Sequence, residues 1–345
     1  MIDDQRRKLK EQFITSCKIK NYQIVPIKGD ASFRSYDRIS TSKKSYILMD
    51  APPAKEDVKP FISVAEILRT LDLSVPEICN QDVENGFLLL EDFGESTIKN
   101  IMASPDEFDE CPEETRIYER AIDVLIHLHK NTVNFDLPVY DDQLLIKESL
   151  IFIEWYISVL NGEKISRIHQ EKFTTILKHL FEYLKHFPKV IVHRDFHAEN
   201  LFWLNDRSGL NKIGLIDFQD AVLGCPVYDM VSLLEDARRE VPESVVINSI
   251  SRYLKAFPNY SRKDFMAAYA VISIQRNLKI IGIFTRQAAK NKNSYYLSML
   301  PLVWRYIHNN LKHPLMLPLK NWLDEVLPSQ SRNIVTHIGG EKILA

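Results

Sequence analysis

Short hydrophobic runs separated by polar turns fill the first ninety residues, and apolar positions with a helical period fill most of the remaining chain. Residues 22–27, 35–39 and 45–49 are rich in aromatic and β-branched side chains, and Lys28-Gly29-Asp30 and Ser40-Thr41-Ser42-Lys43-Lys44 between them have turn compositions. This predicts an antiparallel meander of three strands. Pro52-Pro53 ends it, and apolar side chains at Phe61, Ile62, Val64, Ala65, Ile67, Leu68 and Leu71 predict a helix that covers one face of the sheet. Gly86-Phe87-Leu88-Leu89-Leu90 predicts a fully apolar strand, and Glu91-Asp92-Phe93-Gly94-Glu95 a hinge. The acidic stretch 106–114, with Pro105 and Pro112, reads as a solvated surface loop.

Helices are predicted over 115–130, 144–160, 172–187, 228–237, 245–256, 263–283 and 295–310. Two short interruptions, Val190-Ile191-Val192 and Ile213-Gly214-Leu215-Ile216, are strand-like, and each runs straight into charged residues. Chemistry is expected there. No internal repeat or low-complexity tract breaks the pattern.

With 345 residues, 45% hydrophobic and 26% charged, the chain is too apolar for disorder and long enough for two domains. Forty-four Lys and Arg against 46 Asp and Glu leave a net charge of −2, so a basic surplus for a nucleic-acid backbone is missing. No window approaches the apolar length of a membrane span, and Met1 to Lys8 lead into no apolar stretch, so a soluble, unexported protein is expected. The four cysteines lie far apart, without zinc or disulfide spacing, which suits a reducing cytoplasm. Only ten glycines occur, and no GxGxxG. The spacing Gly209 to Gly214 is followed by Leu215-Ile216 rather than Lys and Ser/Thr, which excludes a Walker loop. GxSxG, HExxH and CxxC are absent as well.

After the first short strand comes His193-Arg194-Asp195-Phe196-His197-Ala198-Glu199-Asn200, and after the second Asp217-Phe218-Gln219-Asp220. A carboxylate and an amide five positions apart, with a second carboxylate 17 residues after the amide, match what phosphoryl transfer needs. Asp195 is the candidate base for an attacking hydroxyl. Asn200 and Asp217 are the candidate magnesium ligands beside ATP phosphates. His193 is expected to brace the loop by hydrogen bonds. Zinc held by His193, Asp195 and His197 is the weaker alternative, because that spacing lies on a loop.

These residues resemble the catalytic loop of the aminoglycoside phosphotransferase family, within the protein-kinase-like fold, and Ile216-Asp217-Phe218 resembles its metal-binding strand end. The resemblance covers nearly the whole chain. Gly29 to Arg34 looks like the phosphate-covering loop, residues 48–53 the third strand, and Leu89 to Gly94 the adenine hinge. With GDASFR, LMDAPP, LLLEDFG, IDFQDA and Gln275 to Lys279, the chain looks most like the family's N-acetylmuramate/N-acetylglucosamine anomeric kinases. The resemblance implies an α+β, two-lobed fold, with an N-lobe over 1–92, a helical C-lobe over 93–345 and the ATP and magnesium site between them. It also implies a monomeric cytoplasmic kinase of cell-wall (peptidoglycan) sugar recycling. Its partners would be ATP and an amino sugar phosphorylated at C1, with no nucleic acid or membrane.

Two positions depart from the family pattern: its phosphate-binding Lys falls at Met49, and the Glu partner of that Lys at Val64. Losing both together is coherent, since a buried Glu without its Lys would be an uncompensated charge. Phosphate contacts then fall to the loop backbone around Ser32 and Phe33, with Arg34, while Glu91 and Phe93 line the hinge. On the acceptor side the resemblance puts Asp220, Tyr228, Asp229, Arg276 and Lys279. Arg276 and Lys279, one helical turn apart, suit a lactyl carboxylate, although a surface salt-bridge face explains them equally well. A choline, ethanolamine or homoserine kinase, an aminoglycoside-modifying enzyme and a non-catalytic nucleotide-binding protein stay open as alternatives.

Overall fold

The computed structural model describes residues 2–27, 33–108, 112–132, 135–291, 294–328, 332, 337–338 and 341–342. The chain forms α1 (Ile2–Ser16), β1 (Gln23–Ile27), β2 (Ser35–Ser40), β3 (Ser45–Asp50), α2 (Lys59–Thr70), β4 (Ile78–Asp82), β5 (Phe87–Glu91), α3 (Ile98–Ala103) and α4 (Glu114–Lys130). There follow α5 (Asp142–Ile151), a π-helical segment (Phe152–Ile157), α6 (Ser158–Asn161), α7 (Arg167–Phe181), β6 (Val190–Val192), β7 (Leu201–Trp203), β8 (Ile213–Leu215) and β9 (Val222–Gly224). Last come α8 (Val227–Leu234), α9 (Glu243–Ala256), α10 (Arg262–Asn291), α11 (Leu300–Asn310), α12 (Leu317–Val326) and a two-residue ladder of β10 (His337–Ile338) with β11 (Glu341–Lys342). Two units result, each built from two stretches: Met1–Val124 with Ala198–Ala221, and Leu125–His197 with Val222–Ala345.

In the first unit a five-stranded antiparallel sheet has the order β1-β2-β3-β5-β4. Three of its strands are the predicted meander and β5 is the predicted apolar run. The edge strand β4 was not predicted, because Asn80-Gln81-Asp82 reads as polar, and an edge needs little apolar character. Nor was α1, whose sequence is mostly polar. It buries Phe13 and Ile14 against Ile39, Leu48, Phe87 and Leu89. Its Arg6 pairs with Asp50 at 2.7 Å, and its Lys10 with Asp37 at 2.7 Å and Asp50 at 3.3 Å. These buried carboxylates therefore have their cations supplied by the helix. Alternation along β2 and β3 turns Tyr36, Arg38 and Met49 to the opposite face, Met49 directly across from Tyr36. Met49 and Val64 are both buried, so apolar packing occupies both positions of the missing ion pair. From α2, Phe61 packs on Phe218 with ring centroids 4.7 Å apart.

In the second unit α10, 30 residues long, packs against α5, the π-helical segment, α8 and α11. Gly282 permits that approach, since a Cβ there would lie 2.6 Å from the backbone of Ile151 and Phe152. The helix predicted over 144–160 is thus interrupted by a π-helical turn where α10 crosses it. The helix predicted over 295–310 opens with a 3₁₀ turn, Ser294–Met299, because Pro301 fits only the first turn of α11. Prolines 314 and 318 hid α12 from the sequence reading. Among the described residues no helix is long and apolar enough to cross a membrane.

Candidate active site

The candidate metal ligands belong to the first unit. Ile216 N–H donates to the Asn200 carbonyl at 3.1 Å, which ties the end of β8 to the residue before β7. Asn200 Nδ2 and Asp217 Oδ2 then lie 3.5 Å apart, and Gln219 Nε2 donates to Asp217 Oδ1 at 3.0 Å. Asp217 has φ 61°, a left-handed conformation that is costly for a residue with a Cβ and that clusters at functional sites. Turning the Asn200 amide over brings its carbonyl to the carboxylate, giving two hard oxygen donors. Among the described residues no three His, Cys, Asp or Glu side chains gather as a metal set. A carboxylate and an amide suit Mg2+, which takes few protein oxygens and fills its shell with phosphate and water.

The sheet face that carries Tyr36 also carries the nearest candidate phosphate ligand. Arg34 hydrogen-bonds the Tyr36 hydroxyl, and Tyr36 is close enough to Asp217 and Glu56 to feel their charge. Burial, opposed by Arg34, pushes the phenol up to about 12, so it stays neutral and braces the guanidinium. Phe33 is 64% exposed, with the Lys55 ammonium 5.0 Å from its ring. Ser32 lies outside the described residues.

Glu91 and Phe93 divide. The Glu91 carboxylate takes the Arg207 guanidinium and the Glu77 N–H, so its side chain braces the end of β5. The Phe93 ring lies against Gly214, where a Cβ would be 2.7 Å from it, and meets Phe202 edge-on at 5.7 Å. The sequence reading missed Asp92 and Arg38 as a clamp. Arg38 binds both Asp92 oxygens, Glu95 and the Gly94 carbonyl, fastening the predicted hinge to β2. Asp220 is exposed and accepts from Gln219.

Asp195 belongs to the second unit, on the loop leaving β6. Asp229 of α8 accepts from the backbone N–H groups of His193 at 2.6 Å and Arg194 at 3.0 Å, which holds Arg194 at φ 75°. His193 is buried edge-on to Phe196, and its backbone N–H carries one of these bonds. Glu148 of α5, unsuspected from the sequence, binds the Arg194 guanidinium, the Lys279 ammonium at 2.9 Å and the Tyr140 hydroxyl. Arg276 turns the other way and donates to Ser232 Oγ at 2.8 Å inside the helix packing. Of the acceptor-side candidates, then, Asp229 and Lys279 surround the loop that carries Asp195.

Burial raises the Asp229 carboxyl to about 7 despite the two N–H donors. Folding therefore favours the protonated form, and stability falls as pH rises from 3.8 to about 7. Activity runs the other way, because a proton on Asp229 removes an acceptor oxygen from the loop. A rate profile should fall as pH drops through about 7. Asp229→Asn should be slower and lack that limb; a limb left unmoved would assign the titration to another group.

The phosphotransferase enzyme family model (APH) matches residues 23–265. The N-acetylmuramate/N-acetylglucosamine kinase of Pseudomonas aeruginosa is 35% identical over 293 residues, covering 83% of this chain and 82% of that one. The kinase of the same name from Caulobacter vibrioides is 29% identical, covering 96% and 99%. Among solved structures, the choline kinase LicA of Streptococcus pneumoniae aligns with a TM-score of 0.61 at 13% identity, over 89% of this chain and 99% of that one. The ADP-bound aminoglycoside phosphotransferase APH(2'')-Ib gives 0.58 at 15%, over 90% and 98%. Those two likenesses establish a protein-kinase-like fold. Because the family match runs from β1 into the start of α10, over most of the chain and both candidate segments, the chain belongs to the phosphotransferase enzyme family.

Proposed function

We propose that this phosphotransferase is a monomeric cytoplasmic kinase that moves the γ-phosphoryl group of ATP to the anomeric hydroxyl of N-acetylmuramate and N-acetylglucosamine, in cell-wall sugar recycling. The observation that carries the reading is the likeness, over most of the chain, to kinases named for those two sugars. Asp195 accepts the proton of the C1 hydroxyl as its oxygen attacks the γ-phosphorus; the bond to the β-phosphate oxygen breaks and ADP leaves. Asn200 and Asp217 would hold Mg2+, which would supply positive charge to the phosphate oxygens. Arg34, braced by Tyr36, takes a phosphate oxygen beside the backbone N–H groups around Ser32 and Phe33, and Phe93 packs on the adenine.

Removing the guanidinium tests the phosphate role by binding alone. Arg34→Ala should weaken ADP about tenfold, the worth of a charge-assisted hydrogen bond, and leave adenosine affinity unchanged in titration calorimetry. Equal ADP affinity in both proteins would remove Arg34 from the site. For the reaction, magnesium-dependent ATP consumption is followed across both sugars, choline, homoserine and an aminoglycoside, with phosphorus NMR locating the new phosphate. A sugar 1-phosphate supports the reading; choline phosphate or a silent panel with ATP still bound overturns it. The choline alternative is disfavoured by Glu148, whose carboxylate is already neutralised by Arg194 and Lys279, whereas a quaternary ammonium needs an open acidic or aromatic cage.

A further inference from the structure

One strand of the first unit serves both ends of the proposed nucleotide site. Tyr36 and Arg38, two positions apart on β2, share a face of the sheet, and Tyr36 braces Arg34. Arg38 reaches across β3 to the segment that follows β5. Its Nε donates to Asp92 Oδ2 at 2.7 Å, and its Nη2 to Asp92 Oδ1 at 3.2 Å and to the Gly94 carbonyl at 3.0 Å. Asp92 Oδ1 also accepts from the Gly94 N–H at 2.8 Å, so guanidinium and carboxylate close together on the backbone of Gly94, which sits at φ 80°. The charges balance. The Asp92 side chain is 3% exposed and takes this guanidinium, while Glu95, a further acceptor, is 73% exposed and stands in water. Beyond Glu91 the sheet ladder ends, and among the described residues the backbone N–H and carbonyl of Phe93 make no hydrogen bond. A donor and an acceptor are left side by side, and the clamp at 92 and 94 decides where they point.

We propose that Arg38 is a positioning residue that sets the choice of purine, by holding the Phe93 backbone in the one frame that fits adenine. The inference rests on the reading of residues 89–94 as the hinge that takes the adenine of ATP. Adenine offers an amino donor at C6 beside an acceptor nitrogen at N1, and guanine offers the reverse, a carbonyl beside an N–H. A rigid donor and acceptor therefore pair with one base and are left unpaired against the other, whereas a segment free to swing satisfies either in part. Arg38 acts through the hinge and not by contact with the nucleotide. Its planar fork is what the role requires, since a lysine keeps the charge but does not hold two Asp92 oxygens and a carbonyl in one fixed arrangement.

Calorimetric titration with ADP, GDP and adenosine, with no sugar present, compares wild type, Arg38→Lys and the double variant Arg38→Met/Asp92→Asn, which strands no buried charge. Wild type should bind ADP about tenfold or more tightly than GDP. That ratio should fall about threefold in Arg38→Lys and about tenfold in the double variant. Adenosine should weaken along with ADP, whereas Arg34→Ala leaves adenosine unchanged. Thermal melts show that each variant is folded, and Arg38→Lys carries the comparison should the double variant fail to fold. A ratio that stays at the wild-type value, with ADP and GDP weakened equally or not at all, would overturn the proposal and leave the clamp a structural brace. Equal affinity of wild type for the two nucleotides would also overturn it while sparing the kinase. Wild type that binds neither would remove the nucleotide-site reading and this role together.

Discussion

Asp195→Asn is expected to lower kcat about a thousandfold, because asparagine keeps the volume of the side chain and removes its ability to take a proton. ADP affinity should stay within about twofold of wild type, since the groups assigned to the phosphates lie elsewhere in the chain. The carbonyl of residue 195 still accepts from His197 N–H at 3.1 Å, so the loop keeps its local turn. Initial rates with N-acetylglucosamine and calorimetric titration with ADP read the two quantities separately. A variant as fast as wild type would remove Asp195 from the chemistry. Loss of rate and of ADP binding in parallel would instead indicate a collapsed loop.

Glu148→Ala should be the most damaging single change away from the reacting atoms. Burial disfavours the Glu148 carboxylate, yet Lys279 and Arg194 outweigh that and hold its pKa below the ordinary value. Burial likewise opposes the charge on Lys279, and the Tyr228 and Glu148 groups around it restore that charge. Deleting the carboxylate strands two cations, at a cost of about 3–5 kcal/mol for an uncompensated buried charge. It also frees Arg194, whose left-handed backbone turn precedes Asp195. Thermal melts should show a large fall in Tm, and kcat should drop with it. The linkage has a sign: Glu148 contributes stability above pH 4.5 that is lost as pH falls through its lowered folded pKa. Wild type should therefore lose more stability in acid than Glu148→Gln does. Equal acid sensitivity in the two would show that the carboxylate is not ionised in the folded chain.

What the sequence made legible was whatever is local. The strands β3 and β5 are runs of aromatic and apolar residues, β2 lies between turn compositions, and the loop from His193 to Asn200 carries its chemistry at fixed spacing. Glu148 was invisible for the opposite reason. A glutamate inside a predicted helix reads as a solvated charge, and its cations stand 46 and 131 positions away. Asp229 was noticed as a polar group near an acceptor, but only the fold shows that both its oxygens are used by backbone N–H groups. Glu91 carried a hinge signal that its side chain does not honour, because Arg207, 116 positions on, captures it. Arg276 and Lys279 looked equivalent at one helical turn, and the direction each side chain takes separates them.

The interleaving of the two units sets a constraint on biosynthesis. The first unit is complete only when residues 198–221 have left the ribosome, after a stretch of the second has already emerged. Until then Phe61 has no Phe218 ring to pack on, and the Ser74 carbonyl has no Leu215 N–H to receive. The five strands of the nascent sheet all lie within residues 23–91, but the unit around it is completed only when the later segment arrives, unlike a sequential two-domain chain. A message truncated near residue 197 yields neither unit whole, and no single cut in the gene separates this protein into two self-sufficient halves.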